Sequence, residues 1–220
     1  MAVKKYIIGI DEVGRGPLAG RIFVGAVILS EELNKKLEAC MKFRKFGTLK
    51  SRHLPLTAKL TDSKKLTQKQ REDWFAWIKE NNIPFSTSAV SPSIIDRINI
   101  SGACNKAANS VVRKLIAKHG IKNVRIIADA GISIRFPEGA DFFESFPKAD
   151  ETVPAVSLAS IVAKVTRDKE MLKIGKKYPD YGFDGHKGYG TKKHIAAIKK
   201  YGPSPIHRLT FIGNIGLKKV

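Results

Sequence analysis

The chain has 220 residues, of which 43% are hydrophobic, a composition that suits one folded domain and excludes a disordered chain. Forty Lys and Arg against 20 Asp and Glu give a formal net charge of +20, which favours polyanions such as nucleic acids as partners; a lysine-rich, heat-adapted surface is the alternative explanation. No apolar run reaches the ~20 residues of a membrane span, and we expect a soluble, cytoplasmic protein.

Strand and helix patterns alternate along the chain. Two short runs rich in β-branched residues, 5–11 and 21–29, flank a turn containing glycine and proline and predict a β-hairpin. Further strands are predicted at 83–91 and 124–131. Helices are predicted over 68–82, 91–120, 156–178 and 191–202. This order predicts an α/β sandwich with a mixed sheet, and the pattern leaves the tail after residue 203 unplaced.

Cysteine and histidine do not suggest a structural metal site. Cys40 and Cys104 are far apart in the sequence and are predicted to be small buried thiols. His186 and His194 are too far apart to be neighbouring ligands on one helix, and we expect them in loops or a groove.

Acidic residues in apolar surroundings suggest the chemistry. Asp11 ends the first strand and Asp129 ends the run VRIIAD, and sites in open α/β sheets lie at the carboxyl ends of strands. Glu12 follows Asp11, and adjacent strand residues face opposite sides of a sheet. We therefore expect the backbone to leave strand geometry there, a change of direction that Gly14 and Gly16 suit.

Asp168 lies in the apolar stripe of the helix predicted over 156–178. It follows Ile161 by seven residues, or about 700° of helical rotation, which places it almost on the core-facing line between Val165 and Leu172. The alternative is a helix cap or an ion pair with a neighbour such as Lys164.

Partly buried carboxylates that lie close together repel one another unless cations intervene. Oxygen ligands favour Mg²⁺ or Mn²⁺, and two such ions about 3.5–4 Å apart are a common apparatus for phosphodiester hydrolysis. The acids and the basic composition together favour a metal-dependent nuclease over a non-catalytic nucleic-acid-binding protein. They do not separate DNA from RNA.

Six segments, in this order, resemble the ribonuclease HII family, or type 2 ribonuclease H. They are GIDEVGRGPLAG (9–20), LTDSKKLT (60–67), IDRINI (95–100), ASIVAKVTRD (159–168), YGFDGHKGYGTKKH (181–194) and YGPSPIHR (201–208). The resemblance implies an α/β, RNase H-like fold with a mixed, mostly five-stranded sheet flanked by helices. It implies a single domain over 1–220, in which roughly 175–220 form a helical and loop extension that helps to bind substrate.

The resemblance also implies an activity. The family hydrolyses the RNA strand of RNA/DNA hybrids and cuts duplex DNA on the 5′ side of an embedded ribonucleotide, leaving a 3′-hydroxyl and a 5′-phosphate. Two divalent ions, Mg²⁺ or Mn²⁺, would be held by four catalytic carboxylates. These are Asp11, Glu12, Asp129 and Asp168. A monomer is expected, and the C-terminal sequence IGNIGLKKV shows no clear sliding-clamp peptide.

The resemblance assigns substrate contacts as well. Gly14, Arg15 and Gly16 would read the junction between ribose and deoxyribose, Tyr189 would stack on the deoxyribose that follows, and Lys64 would hold a phosphate near the cut. The alternatives are a simple β-turn at 14–16 and a packing role for Tyr189. Another RNase H-like nuclease with a different substrate is a further alternative.

Overall fold

A mixed sheet lies at the centre of the computed structural model, which describes residues 5–42, 59–135 and 137–215. Its strands are β1 (Tyr6–Val13), β2 (Ile22–Ser30), β3 (Phe85–Val90), β4 (Val124–Asp129) and β5 (Ala140–Phe146). The order across the sheet is β3-β2-β1-β4-β5. β1 pairs antiparallel with β2 over the whole length of β1, which confirms the predicted hairpin, while β4 and β5 add parallel strands.

Helices cover both faces of this sheet. Within the described residues they are α1 (Glu31–Lys42), α2 (Gln68–Glu80), α3 (Pro92–His119), α4 (Ala149–Thr152), α5 (Pro154–Lys177), α6 (Phe183–His186), α7 (Lys192–Tyr201) and α8 (Leu209–Ile212). One apolar core joins α1, α2 and α5 to the sheet, and a second joins α3 to its other face. The predicted α/β class with a five-stranded mixed sheet is confirmed.

The longer helices begin and end within two residues of their predicted bounds. Thr67 and Gln70 form a reciprocal capping box at the start of α2. α3 starts at Pro92 and is followed by the C-cap Gly120, whose φ of 59° is left-handed. Asn99 interrupts α3 with a φ of 57°, an irregularity that the periodicity did not predict. Its side-chain oxygen accepts the Gly102 N–H at 2.9 Å and so caps the second part of the helix.

Helix α5 lies unusually close to β1 and β2 because glycine occupies the points of contact. A Cβ atom at Gly9 would lie 2.1 Å from the carbonyl carbon of Ala155, and one at Gly25 would lie 2.4 Å from the carbonyl oxygen of Ala159. Only glycine therefore permits this approach, which places the middle of α5 beside the carboxyl end of β1.

The tail that the sequence left unplaced returns to the turn after β1. The Arg208 N–H donates to the Leu18 carbonyl at 2.8 Å, and His207 forms a bridge with Ala19. The prediction that His186 and His194 are loop or groove residues is wrong for His194, which is fully buried and lies in the first turns of α7. Its ring stacks on that of His186 because both pack in a small aromatic core around Phe183.

The cysteines, the C-terminal stretch and three secondary-structure elements were the remaining points of comparison with the sequence. Cys104 is buried as predicted, whereas the side chain of Cys40 lies outside the described residues, as do residues 216–220 of the C-terminal stretch assessed for a sliding-clamp peptide. Strand β5 and helices α1 and α4 were not predicted. Among the described residues, no helix is long and apolar enough to cross a membrane.

Candidate active site

At its carboxyl end, β1 separates from β4 while it remains paired with β2. Pairing with β4 stops at Ile10 and Ala128, whereas pairing with β2 continues to Val13. The expected departure from strand geometry at Asp11 and Glu12 is therefore wrong: β1 stays extended through both, and the chain turns at Gly14, whose φ is 95°. Asp11 and Glu12 consequently point to opposite faces at the mouth of the gap between β1 and β4.

Asp11 faces α5 and is buried, with 5% of its surface exposed. Burial and then the charge of Glu12 raise the pKa of Asp11 well above its ordinary value, and Asp150 contributes in the same direction. The nearby Ser160 side chain and a hydrogen bond from the Glu12 N–H, at 2.8 Å, oppose this shift. Asp11 is thus a desolvated carboxyl group among other acids.

Glu12 faces the side of the sheet covered by α3. Its Oε1 accepts a hydrogen bond from Arg15 Nε at 2.7 Å. Its Oε2 is buried and has no hydrogen-bond partner among the described residues. Burial and the Glu12 charge raise the pKa of the neighbouring Cys104 thiol to about 12, so this cysteine stays protonated at neutral pH.

Asp129 and Asp150 approach from the other side of the gap. Asp129 ends β4, and its Oδ1 accepts the Ala149 N–H at 3.1 Å, which ties the start of α4 to the strand end. Asp150, which follows Ala149 in α4, is 5% exposed. Burial, followed by the charges of Asp62 and Asp129, raises the pKa of Asp150 to about 6. Asp150 therefore belongs to the same group of acids as Asp11.

Lys64 lies beside these acids. The short 3-10 helix that carries it, Ser63–Lys65, is capped by Asp62, which accepts the Lys64 N–H at 2.9 Å. The Ser160 hydroxyl holds the same segment by donating to Ser63 Oγ at 2.8 Å. Partial burial opposes the charge of Lys64, but Asp62, Asp11 and Asp150 outweigh it and raise the pKa of its ammonium group. Lys64 is a fixed cation at the rim of the acidic cluster.

Asp168 does not join the cluster. Its Oδ1 lies 2.8 Å from Lys164 Nζ and its Oδ2 lies 3.9 Å from Arg71, so the alternative of an ion pair with Lys164 is the arrangement found. Asp168 follows Ser160, the residue of α5 that contacts Asp11, by eight residues, or about 12 Å along the helix axis. The apolar stripe does not extend to this position, since Leu172 is 39% exposed.

The turn after β1 holds its shape through two buried arginines. Arg208 donates to the carbonyl oxygens of Gly14, Arg15 and Gly20 at 2.6, 2.8 and 3.0 Å. A Cβ atom at Gly14 would lie 2.5 Å from Arg167 Nε, so a side chain is excluded there. Both guanidinium groups are fully buried.

The front of the same turn faces Tyr189. The nearest side-chain atom to a Cβ built at Gly16 is Tyr189 Cε1, at 4.0 Å, and the tyrosine is 43% exposed. Arg15 reaches across to the Gly131 carbonyl at 2.7 Å in addition to Glu12. The structure thus brings the predicted Gly14, Arg15, Gly16 and Tyr189 together, next to Glu12.

The donor set fits a hard divalent cation. Asp11, Glu12, Asp129 and Asp150 offer carboxylate oxygens only, and Glu12 Oε2 is buried and unsatisfied. Among the described residues, no three acidic, histidine or cysteine side chains are already arranged around a single ion position. Burial and then the charges of neighbouring acids raise the pKa values of Asp11 and Asp150, and a bound cation would offset both effects.

Asp150 is the site residue that sequence reasoning missed. It follows β5, whose sequence ADFFESF has polar residues and no β-branched residue, so the strand pattern was weak. Had β5 been recognised as a strand parallel to β4, the rule that sites lie at carboxyl ends of strands would have directed attention to Asp150.

Known proteins resemble the chain over nearly its whole length. A family sequence model described as "Ribonuclease HII" matches residues 8–214. The Ribonuclease HII of Coxiella burnetii (strain Dugway 5J108-111) is 38% identical over 205 residues, which are 93% of this chain and 87% of that protein. The crystal structure of the ribonuclease H2 from Pyrococcus horikoshii OT3 has a TM-score of 0.62 at 25% identity and covers 96% of each chain. Bst-RNase HIII, solved in complex with Mn²⁺, has a TM-score of 0.65 at 18% identity, over 94% of this chain and 67% of that chain.

Proposed function

The chain belongs to the ribonuclease HII family of type 2 ribonucleases H, and from this premise we propose its substrates and its catalytic groups. It hydrolyses the RNA strand of RNA/DNA hybrids and incises duplex DNA on the 5′ side of a single embedded ribonucleotide, leaving a 3′-hydroxyl and a 5′-phosphate. It acts as a monomer in the cytoplasm. The observation that carries this proposal is the buried acidic cluster beside an exposed tyrosine and a glycine-rich turn.

The catalytic carboxylates are Asp11, Glu12, Asp129 and Asp150. Asp150 takes the role that the sequence assigned to Asp168, because burial and the charges of Asp62 and Asp129 act on Asp150 while Asp168 is neutralised by Lys164. Bound Mg²⁺ or Mn²⁺ ions would supply an activated water and charge stabilisation for the leaving oxygen. The Mn²⁺ in the Bst-RNase HIII structure supports this choice of ion.

The protein's own groups supply orientation. Lys64, held at the rim of the cluster, binds a phosphate next to the bond that is cut. Arg15 leaves its planar fork partly exposed, with its side chain 32% accessible, and can bind a flanking phosphate while it keeps its bond to Gly131.

Junction reading follows from sterics at the turn. The 2′-hydroxyl distinguishes RNA from DNA locally, and peptide groups at Gly14–Gly16 can approach it because two of the three residues lack side chains. Tyr189 stacks on the sugar that follows the ribonucleotide and leaves no room for a second 2′-hydroxyl. The tyrosine ring lies 4.0 Å from the position that a Cβ atom at Gly16 would occupy, and this proximity supports this division of roles.

Cleavage of two substrates with three metal conditions tests the proposal. The substrates are duplex DNA carrying one ribonucleotide and a long RNA/DNA hybrid, each with Mg²⁺, Mn²⁺ or EDTA. We expect incision of both with a divalent ion and none in EDTA. Failure to incise either substrate under any metal condition would sink the proposal.

The fourth carboxylate is tested by two matched variants. Asp150→Asn should lower kcat more than about 100-fold, beyond the loss typical of outer-shell ligands, while hybrid binding persists. Asp168→Asn should stay within about tenfold of the parent enzyme, since it removes only an ion pair on α5. The opposite ranking would return the catalytic role to Asp168.

A further inference from the structure

Three histidines lie under the loop that carries Tyr189, and the proposed chemistry does not use them. The His186 and His194 rings stack with centroids 4.3 Å apart and planes 18° apart. His207 packs against His194 at 5.2 Å. His194 and His207 are buried, with at most 2% of their surfaces exposed.

The partners of His194 and His207 fix both tautomers. The Ser204 N–H donates to His207 Nδ1 at 2.8 Å, so that nitrogen carries no proton and Nε2 does. His207 Nε2 lies 3.0 Å from His194 Nε2, which must therefore accept. His194 Nδ1 then carries the proton and donates to the Tyr189 carbonyl at 2.9 Å. The result is a directed chain of hydrogen bonds, Ser204 to His207 to His194 to Tyr189.

His186 is fixed in the same way from the other side of the loop. Its Nδ1 accepts the Gly188 N–H at 3.1 Å, so its Nε2 carries the proton and donates to the Tyr181 carbonyl at 2.7 Å. The two stacked imidazoles thus bind two backbone groups of the loop, the Gly188 N–H and the Tyr189 carbonyl. Because the histidines bind the backbone of the loop and not the Tyr189 side chain, the Tyr189 ring can face Gly16.

This arrangement requires neutral rings. A second proton on His194 would point at His207 Nε2–H, and a second proton on His186 would point at the Gly188 N–H. Burial, and then the nearby rings of His186 and His207, lower the pKa of His194 to about 4; burial also lowers the pKa of His207. His194 and His207 therefore stay neutral at physiological pH.

We infer that His194, supported by His207 and His186, is a positioning residue that fixes Tyr189 and thereby sets the preference for a single ribonucleotide over a continuous RNA strand. This inference rests on the proposed function, in which Tyr189 contacts the sugar after the ribonucleotide. His194 does not touch the substrate; it holds the carbonyl of the residue that does.

Nitrogen-15 NMR tests the relay without reference to activity. Long-range proton–nitrogen spectra at neutral pH should show the proton of His194 on Nδ1 and those of His186 and His207 on Nε2. His194→Leu should shift the ring resonances of Tyr189, while His119→Leu, a change of an exposed histidine at the end of α3, should not. A proton on His194 Nε2, or unmoved Tyr189 resonances, would overturn the inference.

Selectivity is measured as the ratio of kcat/KM on the single-ribonucleotide duplex to kcat/KM on the hybrid. His194→Leu should reduce this ratio about tenfold, the factor expected for one lost hydrogen bond, and His194→Asn, which keeps a donor near the Nδ1 position, should restore most of it. Equal losses on both substrates refute the positioning role. If the parent protein cleaved neither substrate, the proposed function would be refuted instead. The nitrogen-15 spectra would still test the hydrogen-bond chain from His207 through His194 to the Tyr189 carbonyl.

Discussion

Replacing Asp150 with asparagine should stabilise the metal-free protein while it abolishes cleavage. Folding raises the pKa of Asp150 from 3.8 to about 6, chiefly through burial and then through Asp62 and Asp129. This shift of about two pH units corresponds to at most ~3 kcal/mol of destabilisation at neutral pH, at ~1.4 kcal/mol per unit. Rearrangement of the side chains around the charged Asp150 would reduce this destabilisation below the upper bound. We therefore expect Asp150→Asn to stabilise the protein by about 1–3 kcal/mol, or about 3–10 °C in Tm for a chain of this length.

Thermal unfolding in EDTA at pH 7.5 measures this effect. Asp168→Asn is the matched comparison and should shift Tm in the opposite direction, because it removes an ion pair to Lys164 in which each side chain is only 16% exposed. Asp141→Asn, at an exposed acid on β5, should leave Tm almost unchanged. A lower Tm for Asp150→Asn than for the parent protein would refute the view that Asp150 is held against electrostatic repulsion.

The pH dependence of this difference provides a second check. A carboxyl group whose pKa is raised by folding binds its proton first in the folded state, so its destabilising effect is complete above pH 6 and disappears as the pH falls towards 3.8. The gap in unfolding free energy between Asp150→Asn and the parent protein should therefore close between those values. Added Mg²⁺ or Mn²⁺ should raise the Tm of the parent protein more than that of the variant.

Two further predictions concern the fold around the site. Gly9→Ala should destabilise the protein by more than ~2 kcal/mol in urea unfolding, because the new methyl group would meet the Ala155 backbone, whereas Gly185→Ala, with no heavy atom within 4 Å, should have little effect. His194 has its pKa lowered from 6.5 to about 4, so its contribution to stability is present above pH 6.5 and is lost as the pH falls towards 4, at up to ~1.4 kcal/mol per pH unit. This acid-side slope should flatten in His194→Asn.

The sequence was sufficient to predict features that rest on local pattern. The hairpin of β1 and β2 follows from two β-branched runs and a glycine-rich turn, and α2 follows from the spacing of Trp74, Trp77 and Ile78. Asp11 and Asp129 were predicted as site residues because each ends a strong apolar run of the sequence. In all these cases one segment carries enough information to determine its own structure.

Asp150 and Asp168 show where such reasoning stops. Periodicity placed Asp168 near the core line of α5, but the apolar stripe ends before this position, and Asp168 forms ion pairs with Arg71 and with Lys164 of the same helix. Asp150 lies in a segment with no periodic signal and reaches the site because β5 adds to the edge of the sheet next to β4. Which acids share a site is thus a property of strand order, which no single segment encodes.

The buried Arg208 also explains how the turn can present peptide N–H groups to a substrate. Its guanidinium group binds the carbonyl oxygens of Gly14 and Arg15. All described peptide bonds are trans, so the N–H of each peptide unit points opposite to its carbonyl. The N–H groups of Arg15 and Gly16 belong to those two units and therefore point away from Arg208. A C-terminal residue that lies 193 positions from Arg15 in sequence thus orients the amide pair that the proposed junction reading requires, which accounts for the return of the tail to the first turn of the chain.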